Sequence, residues 1–122
     1  MLIDWKSIPV ASGMRPGSAR QAIAARNISA VRVVTAPDAA FDGTLHRHEN
    51  EQILIMITGV VTLQIDDEVF DAVPGDLVFF PPGSLHGALA VGSGGAVYYE
   101  LFAPSRLDQL PGWVGPGVLE FV

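Results

Sequence analysis

From residue 52 to residue 80 the chain repeats one unit, an apolar run about as long as a single strand followed by a two- or three-residue breaker. Val61, Leu63 and Ile65 alternate with Thr62 and Gln64, the period of two that sends one set of side chains to a buried sheet face. Asp66-Asp67, Pro74-Gly75-Asp76 and Pro81-Pro82-Gly83 interrupt the runs, and these are residue types of tight turns. In the first run Ile53, Ile55 and Ile57 oppose Leu54 and Met56. Both its faces are apolar, which predicts a central strand covered by a second sheet or by a partner subunit.

The same punctuation extends outward. Residues 20–26 and 29–35 read as two strands around a turn at Asn27, with Ile28, Val31 and Val33 supplying β-branched character. Arg20 and Arg32 read as solvated rim residues, and Arg20 is also placed to reach a ligand at a barrel mouth. Pro37-Asp38 and Asp42-Gly43 mark turns before the histidines. Later strands are expected at 68–73, 77–80, 88–91 and 96–103, with Gly92-Ser93-Gly94-Gly95 a flexible loop. Residues 1–19 read as an irregular approach carrying no chemistry. Residues 104–122 read as a tail with one helical turn near Leu107-Leu110, in which Trp113 and Phe121 cap exposed core or an interface. Eight or nine short strands with almost no helical periodicity predict an all-β sandwich or barrel, one domain over residues 1–122.

Composition narrows the function. A formal charge of −6 argues against a nucleic-acid partner. A small anion held by a metal and one or two arginines is compatible with it. Cysteine is absent, which removes disulfides and thiolate chemistry. No apolar run approaches the roughly 20 residues of a membrane-spanning helix. The opening Met1-Leu2-Ile3-Asp4-Trp5-Lys6 has neither a basic leader nor a small-residue cleavage site, so a cytoplasmic location is expected.

The chain has three histidines, His46, His48 and His86. On a strand, His46, His48 and Gln52 project to one face, presenting two imidazoles and a carboxamide oxygen, while Glu49 and Glu51 face away. The Pro81-Pro82-Gly83 turn fixes φ twice and then frees it, which places His86 to add a third nitrogen from a neighbouring strand. Such a set suits a divalent transition ion: zinc, nickel, manganese or iron.

These residues resemble the cupin family of small jelly-roll barrels. The first cupin motif, Gly-x5-His-x-His-x3 or 4-Glu-x6-Gly, is met here as Ala40-x5-His46-x-His48-x3-Gln52-x6-Gly59. The second, Gly-x5-Pro-x-Gly-x2-His-x3-Asn, is met as Gly75-x5-Pro81-x-Gly83-x2-His86-x3-Ala90. Ala40 and Ala90 replace residues that are not ligands in the family. Gln52 replaces its carboxylate ligand, which leaves a bound divalent ion its full charge and favours anionic ligands.

Within the family, His46-x-His48-x2-Glu51-Gln52-Ile53 and the segment Glu100-Leu101-Phe102-Ala103-Pro104-Ser105-Arg106 look like the single-domain cupins of pectin and alginate breakdown. Those proteins convert unsaturated uronates to linear keto acids. The resemblance implies that Glu100 stands in the place of an aspartate acid/base, Phe102 of a pocket aromatic and Arg106 of a carboxylate-binding arginine. Tyr98, Glu100 and Phe102 share one strand face, and a carboxylate inside an apolar barrel has a raised pKa suited to proton transfer. The expectation is a metal-dependent, isomerase-like cupin acting on a small anionic molecule, and a homodimer. The alternatives are an iron-dependent cupin dioxygenase and a non-catalytic ligand-binding or sensor cupin.

Overall fold

A computed structural model describes residues 1–122 and is built almost entirely of strands. Its elements are β1 (Ala11–Ser12), β2 (Ser18–Ala24), β3 (Ser29–Thr35), β4 (His46–Arg47), β5 (Glu51–Ile65), β6 (Glu68–Ala72), β7 (Leu77–Phe80), β8 (His86–Ala103) and β9 (Glu120–Phe121), with 3-10 turns at Trp5–Ser7 and Leu107–Gln109. All pairings are antiparallel. One edge runs β1-β2-β3-β8-β4-β9, and β5 joins β8, β6 and β7, so the sheet curls around a shared interior as a jelly-roll barrel. No helix is long and apolar enough to cross a membrane.

Alternation determines what fills the interior. Gln52, Leu54 and Met56 of β5, Val78 and Phe80 of β7, and Tyr98 and Phe102 of β8 are buried. Val31 and Val33 of β3 and Val61 and Leu63 of β5 complete most of the core. Phe80 and Phe102 are the largest of the fully enclosed side chains, and truncating either to alanine would cost about 3–5 kcal/mol through lost burial and the cavity left behind.

Two strands are longer than the turn signals predict. Gly59 lies inside the 15-residue β5 and Gly92–Gly95 inside the 18-residue β8, so the flexible loop expected at 92–95 is corrected to a bulge within the strand, between Val91 opposite Val61 and Ala96 opposite Gly59. The pairing of β5 with β8 shifts register between Met56 and Thr58 and again between Gly59 and Val61, and such bulges need unusual backbone angles. Gly59 (φ 77°) meets this need. A Cβ at Gly59 would collide with the Gly95 carbonyl, so the terminal glycine of the first motif is required where the two long strands cross.

The N-terminal segment, expected to be irregular, contains a 3-10 turn and β1. Trp5 stacks on Tyr99 at 5.9 Å between ring centroids, and Gln21 Nε2 donates to the Ile8 carbonyl at 2.9 Å. The tail makes its one helical turn at Leu107–Gln109 and returns to the barrel as β9. Phe121 lies beside His46, with ring centroids 5.9 Å apart.

Candidate metal centre

Although only two residues long, β4 fixes the first ligand. His46 is opposite His86 of β8 on one side and Phe121 of β9 on the other. The chain then leaves the strand at His48, bends through Glu49-Asn50 and enters β5 at Glu51, so unbroken alternation does not run from His46 to Gln52. The ligands converge for a second reason. His48 Nδ1 lies 3.0 Å from the Asn50 carbonyl, which turns Nε2 to 3.0 Å from Gln52 Oε1. His86 Nδ1 is held in the same way, 3.0 Å from the Ser84 carbonyl. The Gly83 N–H donates to the His48 carbonyl at 2.9 Å, so the turn of the second motif is tied to a ligand of the first. Glu49 and Glu51 are exposed.

Ligand nitrogens of the three histidines lie within 4.8 Å of one another. Burial, reinforced by His86 and then His48, holds His46 down to about 3. Burial and the neighbouring His48 hold His86 at about 4. Burial also lowers His48. All three are neutral at physiological pH, so their lone pairs are available.

The residues fit a divalent transition ion. His46 Nδ1 and His86 Nε2 are buried without a hydrogen-bond partner, a costly arrangement for groups that nothing else satisfies. With its Nδ1 proton given to Asn50, His48 Nε2 presents a lone pair beside the Gln52 oxygen. These two acceptors are 3.0 Å apart, the separation of two neighbouring ligands at right angles when each is about 2.1 Å from an ion. Backbone carbonyls that fix the opposite ring nitrogen are the usual means of orienting metal-binding imidazoles.

Beside this cluster is a cavity of about 70 Å³, lined by His46, His86, Gln52, Tyr98, Glu100 and Arg106, and also by Arg15, Arg20 and Gln109. Gln52 Nε2–H donates to Glu100 Oε2, which leaves Glu100 Oε1 for the cavity. Burial raises Glu100 to about 7 against the pull of Arg106, Arg15 and Arg20, so it exchanges a proton near neutral pH. Burial and the Glu100 charge push Tyr98 up to about 12. It stays a neutral phenol, 3.5 Å from Thr35 Oγ1.

Arg106 lies with its guanidinium 4.9 Å from the Phe102 ring centroid. Its Nε and Nη2 donate to Asp108 at 3.2 and 2.9 Å. Phe102 does not line the cavity. It is 1% exposed and packs behind the site against Arg106 and against His48, 5.7 Å away. No sequence signal marks Arg15 or Gln109, which reach the cavity from segments with no motif of their own. Of the two positions the sequence leaves open to Arg20, solvated rim or barrel mouth, it occupies the second and lines the cavity.

A curled antiparallel barrel with three buried imidazoles clustered within 4.8 Å is a jelly roll with a candidate metal site. The Cupin domain model matches residues 32–102, more than half of the chain, and the chain belongs to the cupin family. Among solved structures, KdgF from Halomonas sp. is similar at 26% identity and TM-score 0.74, over 86% of this chain and 95% of that one. An RmlC-like cupin from Shewanella frigidimarina NCIMB 400 is similar at 24% identity and TM-score 0.72, over 84% and 89%. Oxalate decarboxylase from Bacillus subtilis shares the fold at 22% identity and TM-score 0.70, over 84% of this chain but 28% of its own. No curated protein matches significantly.

Proposed function

We propose that this cupin is a metal-dependent isomerase of small sugar acids and that it linearises unsaturated uronates. The observation that carries the reading is the contact between Gln52 and Glu100. One carboxamide presents its oxygen to the histidine cluster and its N–H to a carboxylate whose pKa lies near 7, so an ion site and a proton-transfer group share one side chain. The likeness to KdgF and the segment from Glu100 to Arg106 support the choice of substrate.

His46, His48, His86 and Gln52 Oε1 would hold the ion, which when bound supplies Lewis-acid polarisation of a ligand oxygen. The rest of the chemistry belongs to the chain. Linearisation opens the cyclic hemiacetal: the C1 hydroxyl loses its proton as C1 becomes an aldehyde, the C1–ring oxygen bond breaks with the ring oxygen departing as an enolate, and C4 gains the proton as C5 becomes a ketone. No atom is gained or lost. Glu100 Oε1 serves both transfers, since a carboxyl with a pKa near 7 is populated in both forms at working pH. Arg106, steadied by Asp108, adds positive charge beside the substrate carboxylate. Tyr98 forms the neutral cavity wall, and Phe102 supports Arg106 and His48 from behind.

The test pairs elemental analysis of untagged protein with a turnover assay. Near one equivalent of a divalent ion, together with loss of the conjugated ultraviolet absorbance of an unsaturated uronate, is the expected result. Oxygen consumption with a candidate substrate would favour the dioxygenase alternative, and saturable binding without turnover would favour the binding module.

The same reading includes a homodimer. On the outer face of β5 and β7, Ile57, Leu77 and Phe79 are 42%, 63% and 47% exposed, and Phe79 and Leu77 lie directly across from Ile53 and Ile55. A contiguous apolar face of this kind is rare on a monomer. Phe79→Glu is expected to convert a dimer to a monomer in analytical ultracentrifugation, and a wild-type monomer would refute the assignment.

A further inference from the structure

The cavity has a second unsatisfied pole, separate from the histidines. Arg20 Nε and Gln109 Oε1 are both buried without a hydrogen-bond partner, and both side chains line the cavity that holds Glu100 and His46. They arrive from distant parts of the chain, Arg20 from β2 and Gln109 from the 3-10 turn of the tail. One is a cationic donor and the other a neutral acceptor. Gln109 is 7% exposed, so its oxygen has no ready access to bulk water, and a buried amide oxygen left unpaired is destabilising.

The arginines of the cavity are not equivalent. Arg106 commits its Nε and Nη2 edge to Asp108 in the protein's only ion pair. That edge makes the side-on, two-bond contact with a carboxylate, so it is already used. Arg15 is directed over the Phe41 ring at 4.3 Å. Arg20 has no carboxylate partner, and its Nε is free.

We infer that Arg20 and Gln109 form the specificity-determining subsite for the carboxylate-bearing part of the ligand: Arg20 takes the carboxylate side-on through Nε, and Gln109 Oε1 accepts a hydrogen bond from a ligand hydroxyl. The ligand class is a hydroxylated monocarboxylic acid of monosaccharide size, and neutral sugars are discriminated against because they leave Arg20 unpaired. This inference rests on the sugar-acid reading above and moves the fork-like contact from Arg106 to Arg20. Arg106 retains an electrostatic role beside the reacting centre.

The experiment is calorimetric titration of metal-loaded protein with D-glucuronate and with D-glucose, for wild type, Arg20→Met, Arg20→Lys and Gln109→Leu, with metal content measured in each. Wild type is expected to bind glucuronate and to bind glucose at least about tenfold more weakly, the worth of one charge-assisted contact. Arg20→Met should abolish that preference at unchanged metal content, Arg20→Lys should restore part of it, and Gln109→Leu should weaken both sugars alike. Arg20→Met binding glucuronate as wild type does would overturn the subsite while leaving the metal-dependent reading intact. Metal-replete wild type with no affinity for glucuronate would overturn the ligand class. If wild type takes up no ion, the metal-dependent reading fails, and the comparison of wild type with Arg20→Met on the metal-free protein still decides the subsite.

Discussion

In the histidine wall beside the cavity, His48 and His86 each have one ring nitrogen tied to a backbone carbonyl two residues away. In the arginine wall of the same cavity, Arg15 and Arg20 have no carboxylate partner. The first wall is preorganised: its imidazoles are neutral, two of the three are oriented by backbone, and an ion would satisfy their inward lone pairs. The second is electrostatically unbalanced, because Arg106 is offset by Asp108 while Glu100, raised to about 7, offsets at most one of the other two charges. On the proposed reading, rigid geometry would select a metal on one side and excess charge an anion on the other.

The contrast is tested most severely by His86→Ala, expected to reduce bound metal from near one equivalent to less than about a tenth, because a three-donor remnant holds a divalent ion poorly. Elemental analysis checks this, and retention of a full equivalent would show that the wall is not organised as described. Glu100→Gln should leave the ion in place and lower turnover by roughly 10²- to 10⁴-fold, the range for losing a general acid/base group. Steady-state kinetics beside metal content would separate the two walls, and a parallel loss of both would merge them.

Asp108→Asn tests how Arg106 is held. Burial alone would raise the Asp108 pKa, but hydrogen bonds from Arg106 and its charge outweigh burial and hold it below 3.8. A carboxylate with a depressed folded-state pKa adds stability above its unfolded pKa and loses it as pH falls through the folded value. Asp108→Asn is therefore expected to be less stable by about 1–2 kcal/mol at pH 6, with the gap to wild type closing below about pH 4. Urea unfolding at the two pH values measures it, and a gap independent of pH would show that the pair contributes no charge-dependent stability. The smallest effect is expected from Phe121→Ala. Phe121 is 61% exposed and meets His46 only edge to face at 5.9 Å, so metal affinity should change by no more than about twofold, within the usual range of surface substitutions.

The two walls also differed in how far they could be read from sequence. The imidazole set lies in two compact stretches whose spacing is imposed by the turn and strand that carry them, so His46, His48, Gln52 and His86 were legible without coordinates. Strand parity alone would not have sufficed, since the bend at Glu49-Asn50 breaks it and the Asn50 carbonyl restores the orientation. Glu100 was legible from the alternation of β8 and from the family resemblance. The arginine wall was not. Arg20 sits on a strand where rim and cavity positions look alike, and Gln109 reaches the cavity through a tail whose path is set by tertiary contacts, including Arg106 N–H donating to Ser29 Oγ at 2.9 Å. The glycines mislead in the opposite sense. A Gly-rich stretch signals a loop locally, but here β5 pairs with β8 on either side of Gly92–Gly95 and leaves them as a bulge within one strand.

The β8 strand is the antiparallel partner of β3, β4 and β5, and it opens with His86. In a growing chain, three of the four prospective ligands leave the ribosome well before the strand that closes the barrel around them. Contacts so distant in sequence form slowly because the loop must close before they are rewarded. On the metal-dependent reading, capture of the ion and closure of the barrel would thus be coupled in time: no nascent chain ending before residue 86 can possess the complete site, and a metal present during synthesis would meet a finished cage only once β8 has docked.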